Sequence, residues 1–60
     1  MDKVLASQFI NKFVKIDLNS SNYYYKGTVR EVTNGGLVLN TQNGLVAIEL
    51  SDIRLMREAD

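Results

Sequence analysis

The stretch Tyr23 to Thr41, with the sequence YYYKGTVREVTNGGLVLNT, decides the fold of this chain. It contains two runs of strand-favouring residues separated by residues 33–36, where Asn34 and the glycines after it adopt a positive φ easily. Gly27 lies inside the first run, and a glycine in a strand commonly marks a bulge, a bend or the close approach of another backbone. The stretch therefore predicts a long bent strand that turns back into a second strand.

The N-terminal residues have the hydrophobic period of a helix. Leu5, Phe9 and Ile10 follow helical spacing without an interrupting glycine or proline, and Asp2 is a suitable N-terminal cap. Residues 3–11 are therefore predicted to form a short amphipathic helix. Because a helix of this length is unstable alone in water, its apolar face is predicted to pack on the rest of the domain.

The period changes to two from Phe13 onward, which predicts strands with one buried face. The predicted strands cover about residues 13–18, 23–32, 37–41, 45–50 and 53–56, and residues 57–60 are predicted to be a polar tail without a fixed partner. The third and fourth of these strands carry apolar residues on both faces. One face fits the interior of a sheet, and the other requires the helix or a neighbouring subunit.

Composition limits how the chain can be stabilised. Sixty residues form a single domain, 1–60, with a marginal hydrophobic core. The chain contains no Cys and no His, which excludes disulfides and ordinary zinc sites. Self-association is the remaining common supplement to a core of this size.

Composition also excludes several functional classes. Without His or Cys, and with its acidic residues scattered over different strands, the chain is predicted to be no enzyme and to have no catalytic residues, metal site or cofactor. The formal net charge is zero, so any contact with nucleic acid has to be local. No apolar run has the ~18 residues of a membrane span and no signal peptide is recognisable, which predicts a cytoplasmic protein without a membrane partner.

The order of these patterns resembles the Sm-like family. The resemblance rests on the alternating strand Val14-x-Ile16-x-Leu18, the segment Tyr25-Lys26-Gly27, the run Leu37-Val38-Leu39 and the hairpin Gly44 to Ile53. It implies a mainly β fold: an Sm-like or SH3-like, five-stranded, strongly bent antiparallel barrel with a short N-terminal α-helix. The same pattern also resembles the C-terminal barrel of the ribosome maturation factor RimP.

The resemblance implies single-stranded RNA as the partner and directs attention to the tyrosines. At the position of the family's RNA-binding turn, only Asn34 can contact a base edge, and Glu49 stands where the family's second loop has a cation. Tyrosine rings can stack on bases, and nearby cations can contact phosphates. The candidate RNA-binding residues are Tyr23, Tyr24, Tyr25, Lys26, Arg30 and Asn34. The alternative is that Tyr25, with or without Tyr23, is a core or subunit-contact aromatic and that Tyr24 is exposed.

Edge strands provide the predicted route to self-association. A free strand edge is an aggregation hazard, and head-to-tail pairing of edges that closes on itself produces a ring. The chain is therefore predicted to form a cyclic homo-oligomer, and a ring repeats a weak RNA contact several times. The predicted interface residues are Val46, Ile48, Leu55 and Met56. The alternative function is a protein-interaction or assembly module that keeps the ring without binding RNA.

Overall fold

The computed structural model describes residues 1–59, and these residues form one antiparallel sheet with a short helix at its N-terminal side. The elements are α1 (Lys3–Ser7), β1 (Phe13–Leu18), β2 (Tyr24–Val32), β3 (Gly36–Thr41), β4 (Gly44–Glu49), a 3-10 helix (Leu50–Asp52) and β5 (Ile53–Glu58). The predicted mainly β fold with five antiparallel strands and an N-terminal helix is confirmed.

The strand order is β4-β3-β2-β1-β5, so the first four strands form consecutive hairpins and β5 returns to pair with β1. Within residues 1–59, β4 and β5 do not pair with each other. The sheet is therefore open, and β4 and β5 are its two edges.

The last strand is longer than predicted. Arg57 pairs with Lys15 and Glu58 pairs with Val14, so β5 continues into the segment predicted to be a polar tail. The backbone N–H of Ala59 also donates to the carbonyl of Phe13 at 2.9 Å. The prediction was wrong for these residues because backbone pairing to β1 does not require apolar side chains; Asp60 lies outside the described residues.

The helix is shorter than predicted and buries a different face. It ends at Ser7 rather than near residue 11, because the following backbone pairs with β2 through an Ile10–Val29 bridge. Its buried residue is Ala6, whereas Leu5 is 52% exposed. Burial of Leu5 and Ile10 was therefore a wrong prediction, whereas Phe9, which follows the helix, is partly buried against the core. Asp2 caps the helix as predicted, since its carboxylate accepts from the N–H of Leu5 at 3.3 Å.

Gly27 allows β3 to approach β2 closely. A Cβ at this position would lie 2.4 Å from the carbonyl oxygen of Asn40, well inside van der Waals contact. Of the three explanations predicted for this glycine, a bulge, a bend or a close backbone approach, the structure shows the close approach. Three residues later, the β2–β3 register shifts between Val29 and Glu31, and such a bulge bends the strand.

The turn between β2 and β3 does not use the positive φ predicted for it. Among residues 1–59, positive φ occurs at Asn11 and at Gly44, which opens β4. The side chain of Thr33 closes the β2–β3 turn instead, since its Oγ1 accepts from the N–H of Gly36 at 3.1 Å. A threonine side chain thus supplies the local hydrogen bond of the turn.

The core lies on one face of the sheet and is covered at one end by α1. Its fully buried side chains include Val14 and Ile16 of β1 and Leu37 and Leu39 of β3. The opposite face of β4 carries the exposed residues Leu45 and Ala47. The apolar outer face predicted for β4 is therefore not covered by α1.

Candidate nucleic-acid interface

The β1–β2 loop holds the start of the tyrosine run against the 3-10 helix. The carboxylate of Asp52 accepts from the N–H and the hydroxyl of Ser20 at 2.9 and 2.8 Å. Ser21 Oγ accepts from the N–H of Tyr23 at 3.1 Å. Because several hydrogen bonds fix this polar loop, Tyr23 is positioned although it lies just outside β2.

The three tyrosine rings form one cluster. Tyr23 stacks on Tyr24 with ring centroids 6.3 Å apart, and it meets the edge of Tyr25 at 4.9 Å. Tyr23 and Tyr24 are 60% and 48% exposed, whereas Tyr25 packs against the core. Two aromatic rings are therefore available to solvent, and the third contacts Tyr23 from the side of the core.

A cleft of about 400 Å³ opens beside this cluster. We call it the tyrosine cleft. Its lining residues are Tyr23, Tyr24, Tyr25, Lys26, Thr41, Gln42, Asn43 and Val46. The cleft thus combines aromatic rings, the amides of the β3–β4 turn and one cation. Stacking surfaces, amide groups that bind base edges and a charge for phosphate are the features with which proteins bind unstacked bases.

Lys15 adds a second cation that the sequence analysis did not include. It lies on β1 directly opposite Lys26, and its Nζ is 4.5 Å from the centroid of the Tyr24 ring. The alternating pattern of β1 already separates Lys15 from the core residues. Only the register of the β1–β2 hairpin, however, places it beside the tyrosines.

The other two predicted RNA-binding residues lie away from the tyrosine cleft. Arg30 is exposed at the bulge of β2, and Asn34 follows the opposite end of this nine-residue strand from Tyr24. The Oδ1 of Asn34 accepts from Nζ of Lys3 at 3.0 Å, which ties the turn to α1. Asn34 therefore does not lie beside the tyrosines, and the prediction that they form one site was wrong.

Comparison with known families identifies the family but not the activity. A profile of the family described as a domain of unknown function (DUF6897) matches residues 1–59. The chain belongs to the DUF6897 family. No curated protein and no solved structure matches it significantly.

The predicted interface residues of this DUF6897 domain divide into two groups. The side chains of Ile48 and Met56 are 6% exposed and belong to the chain's own core. Val46 is half-buried and lines the tyrosine cleft, and Leu55 is exposed on β5. Of the four predicted residues, Val46 and Leu55 are thus the ones whose side chains reach the surface.

Within residues 1–59, the part of the domain that the structure describes, no group of three or more His, Cys, Asp or Glu side chains is placed to hold a metal ion. No helix among these residues is long and apolar enough to cross a membrane.

Proposed function

We propose that this domain binds single-stranded RNA in the tyrosine cleft. The observation that carries the proposal is the stacked pair Tyr23 and Tyr24, exposed beside Lys15 and Lys26. Exposed aromatic rings are costly to leave in water, and a base can stack on them regardless of its sequence. Single strands are favoured over duplexes because stacking of this kind requires unpaired bases.

The proposed fold is the Sm-like, strongly bent barrel, with a gap between β4 and β5. Two observations support it: the bulge and the Gly27 contact that bend β2, and a cavity of about 180 Å³ at the gap. This cavity is lined by residues of β4, by Leu18 of β1 and Tyr25 of β2, and by Asp52, which directly precedes β5. The β4 edge strand and the residue that leads into β5 therefore border the same opening.

Self-association into a cyclic homo-oligomer completes the proposal. β4 and β5 are six-residue strands whose outer edges are unpaired within residues 1–59. Leu45 on β4 and Leu55 on β5 are exposed large apolar side chains on these edge strands. Pairing of β4 with β5 of a neighbouring copy satisfies both edges and closes into a ring. These edges also favour the alternative, a ring that assembles without RNA.

Replacing Tyr24 with alanine is expected to weaken RNA binding about 5- to 150-fold, since stacking on an aromatic side chain contributes about 1–3 kcal/mol per base. The measurement is fluorescence anisotropy with labelled oligo-A and oligo-U at two salt concentrations. The matched control is Tyr24→Phe, which keeps the ring and should bind nearly as wild type does. Absence of wild-type binding at low salt, or equal affinities of Tyr24→Ala and wild type, would overturn the proposed function.

Light scattering of the wild-type chain is expected to give a mass several times that of the monomer. Leu55→Lys places a charge on the β5 edge strand and should shift the mass to that of the monomer. Leu5→Lys introduces the same charge on the exposed face of α1 and serves as the control, with no expected change in mass. A strictly monomeric wild type would exclude the ring, whereas an oligomer that binds no RNA would establish the alternative function.

A further inference from the structure

Three cations lie in one row across the outer face of the sheet. Lys15 on β1 pairs with Lys26 on β2 and with Arg57 on β5, so the three residues stand directly opposite one another on adjacent strands. Directly paired residues of an antiparallel sheet project from the same face. Since strands are about 4.8 Å apart, the row extends roughly 10 Å from the tyrosine cleft to the β5 edge.

The row has no acidic partner in the described part of the chain. Two acids close in sequence to the row contact other cations. Asp17, two residues from Lys15 on the same face of β1, lies 3.7 Å from Arg54, and Glu58, next to Arg57, lies 3.8 Å from Lys12. Within residues 1–59, no ion pair involves Lys15, Lys26 or Arg57. Like charges placed directly opposite each other destabilise a sheet, so this arrangement lowers the folding stability of the protein when no anion is bound. An anion bound along the row relieves the repulsion.

Aromatic rings flank the row on both sides. Tyr24 lies two residues before Lys26 on the same face of β2. The ammonium group of Lys15 lies over the Tyr24 ring. On the other side, Phe13 is exposed on β1 and pairs with Thr28. A row of cations flanked by exposed rings is suited to binding a single strand, with the charges contacting phosphates and the rings stacking on bases.

We propose that Lys26, Lys15 and Arg57 form a phosphate track that carries the RNA backbone from the tyrosine cleft across β1 to the β5 edge. This inference rests on the proposed function and deepens it, because it assigns the path of the strand. The RNA then leaves the cleft toward β5 and not along β2 toward Asn34. Arg57, which lies in the segment that the sequence predicts to be an unpaired tail, is thereby assigned to bind an RNA phosphate.

The test compares the salt dependence of two probes: oligo-A, and an abasic deoxyribose-phosphate oligomer of the same length. Each phosphate contact contributes about 0.7 to the slope of log affinity against log salt concentration for single strands. Lys15→Gln and Arg57→Gln are therefore each expected to reduce the magnitude of the slope by about 0.7 with both probes. Tyr24→Ala should weaken binding of oligo-A and leave binding of the abasic oligomer unchanged.

Lys3→Gln is the matched control, because it removes the same charge at the Asn34 end of the molecule. Its slope should equal that of wild type. If RNA binds but Lys15→Gln and Arg57→Gln leave the slope unchanged, the track is wrong and the tyrosine site stands. If the abasic oligomer binds with the expected slopes but Tyr24→Ala has no effect on oligo-A, the track stands and the tyrosine site is wrong. If the wild type binds neither probe, both proposals are overturned.

A second measurement requires no ligand. Because Arg57 repels Lys15 in the free protein, Arg57→Gln should raise the midpoint of thermal unfolding at low salt, and added salt should reduce the difference. A lower midpoint for Arg57→Gln at low salt would overturn the repulsion from which the track is inferred.

Discussion

Gly27→Ala is expected to destabilise the fold by about 1–3 kcal/mol, the usual effect of forcing extra atoms into a packed site. The added Cβ would lie 2.4 Å from the carbonyl oxygen of Asn40 and 3.1 Å from Cγ of Leu39. The oxygen belongs to the backbone of β3, so relief requires the two strands to move apart. The measurement is the midpoint of urea unfolding, and in a domain of this size each 1 kcal/mol also lowers Tm by roughly 4–8 °C.

Gly35→Ala is the matched control for this substitution. No atom lies within 4 Å of a Cβ at Gly35, and its φ is not in the left-handed region. Alanine there should be neutral or should stabilise the fold by up to about 1 kcal/mol, because it reduces the freedom of the unfolded chain. Equal unfolding midpoints for the two variants would contradict the close approach of β3 at Gly27.

Leu39→Ala is expected to cost about 2–5 kcal/mol, the range observed when a buried leucine is truncated and leaves a cavity. Leu39 is 0% exposed and lies among the core side chains of β1 and β3. A loss of this size removes a large share of the stability of a small domain, which is about 5–15 kcal/mol in typical cases. Circular dichroism during urea unfolding should show the midpoint moving toward zero denaturant.

Leu5→Ala is the control for Leu39→Ala, and it separates the sequence-based prediction from the structure. Helical spacing predicts a buried Leu5, whereas the structure leaves this side chain 52% exposed. Because Leu5 is exposed, its replacement by alanine should change the free energy of unfolding by no more than about 0.5 kcal/mol. A loss comparable to that of Leu39→Ala would show that the helix packs as its sequence pattern indicates.

Local patterns predicted the strands well because burial in a sheet follows a period of two. Val14 and Ile16 alternate with Lys15 and Asp17, and the structure buries the first pair while the second faces outward. The helix was predicted less well. Its apolar spacing continues to Ile10, but a β-bridge from Ile10 to Val29 ends the helical path, and a contact between segments so far apart in sequence leaves no local signal.

The candidate site was predictable where its members are adjacent in sequence. Tyr23, Tyr24 and Tyr25 are consecutive, so their backbones stay close in any conformation, and the structure places all three around one cleft. Asn34 was grouped with them because it belongs to the same stretch. β2 instead separates the two ends of this stretch, and Asn34 contacts Lys3.

The sequence alone determined the positions of the five strands to within a few residues, that Gly27 occupies a special backbone position, and that the three tyrosines lie close together. These properties depend on side-chain type and on neighbours a few residues away. The tertiary structure alone decided that β5 pairs with β1, that the sheet remains open between β4 and β5, and that Lys26, Lys15 and Arg57 form one row. Strand order and register are set by packing of the whole core. This packing brings together residues that are far apart in the sequence, and their separation along the chain does not predict their distance in the structure.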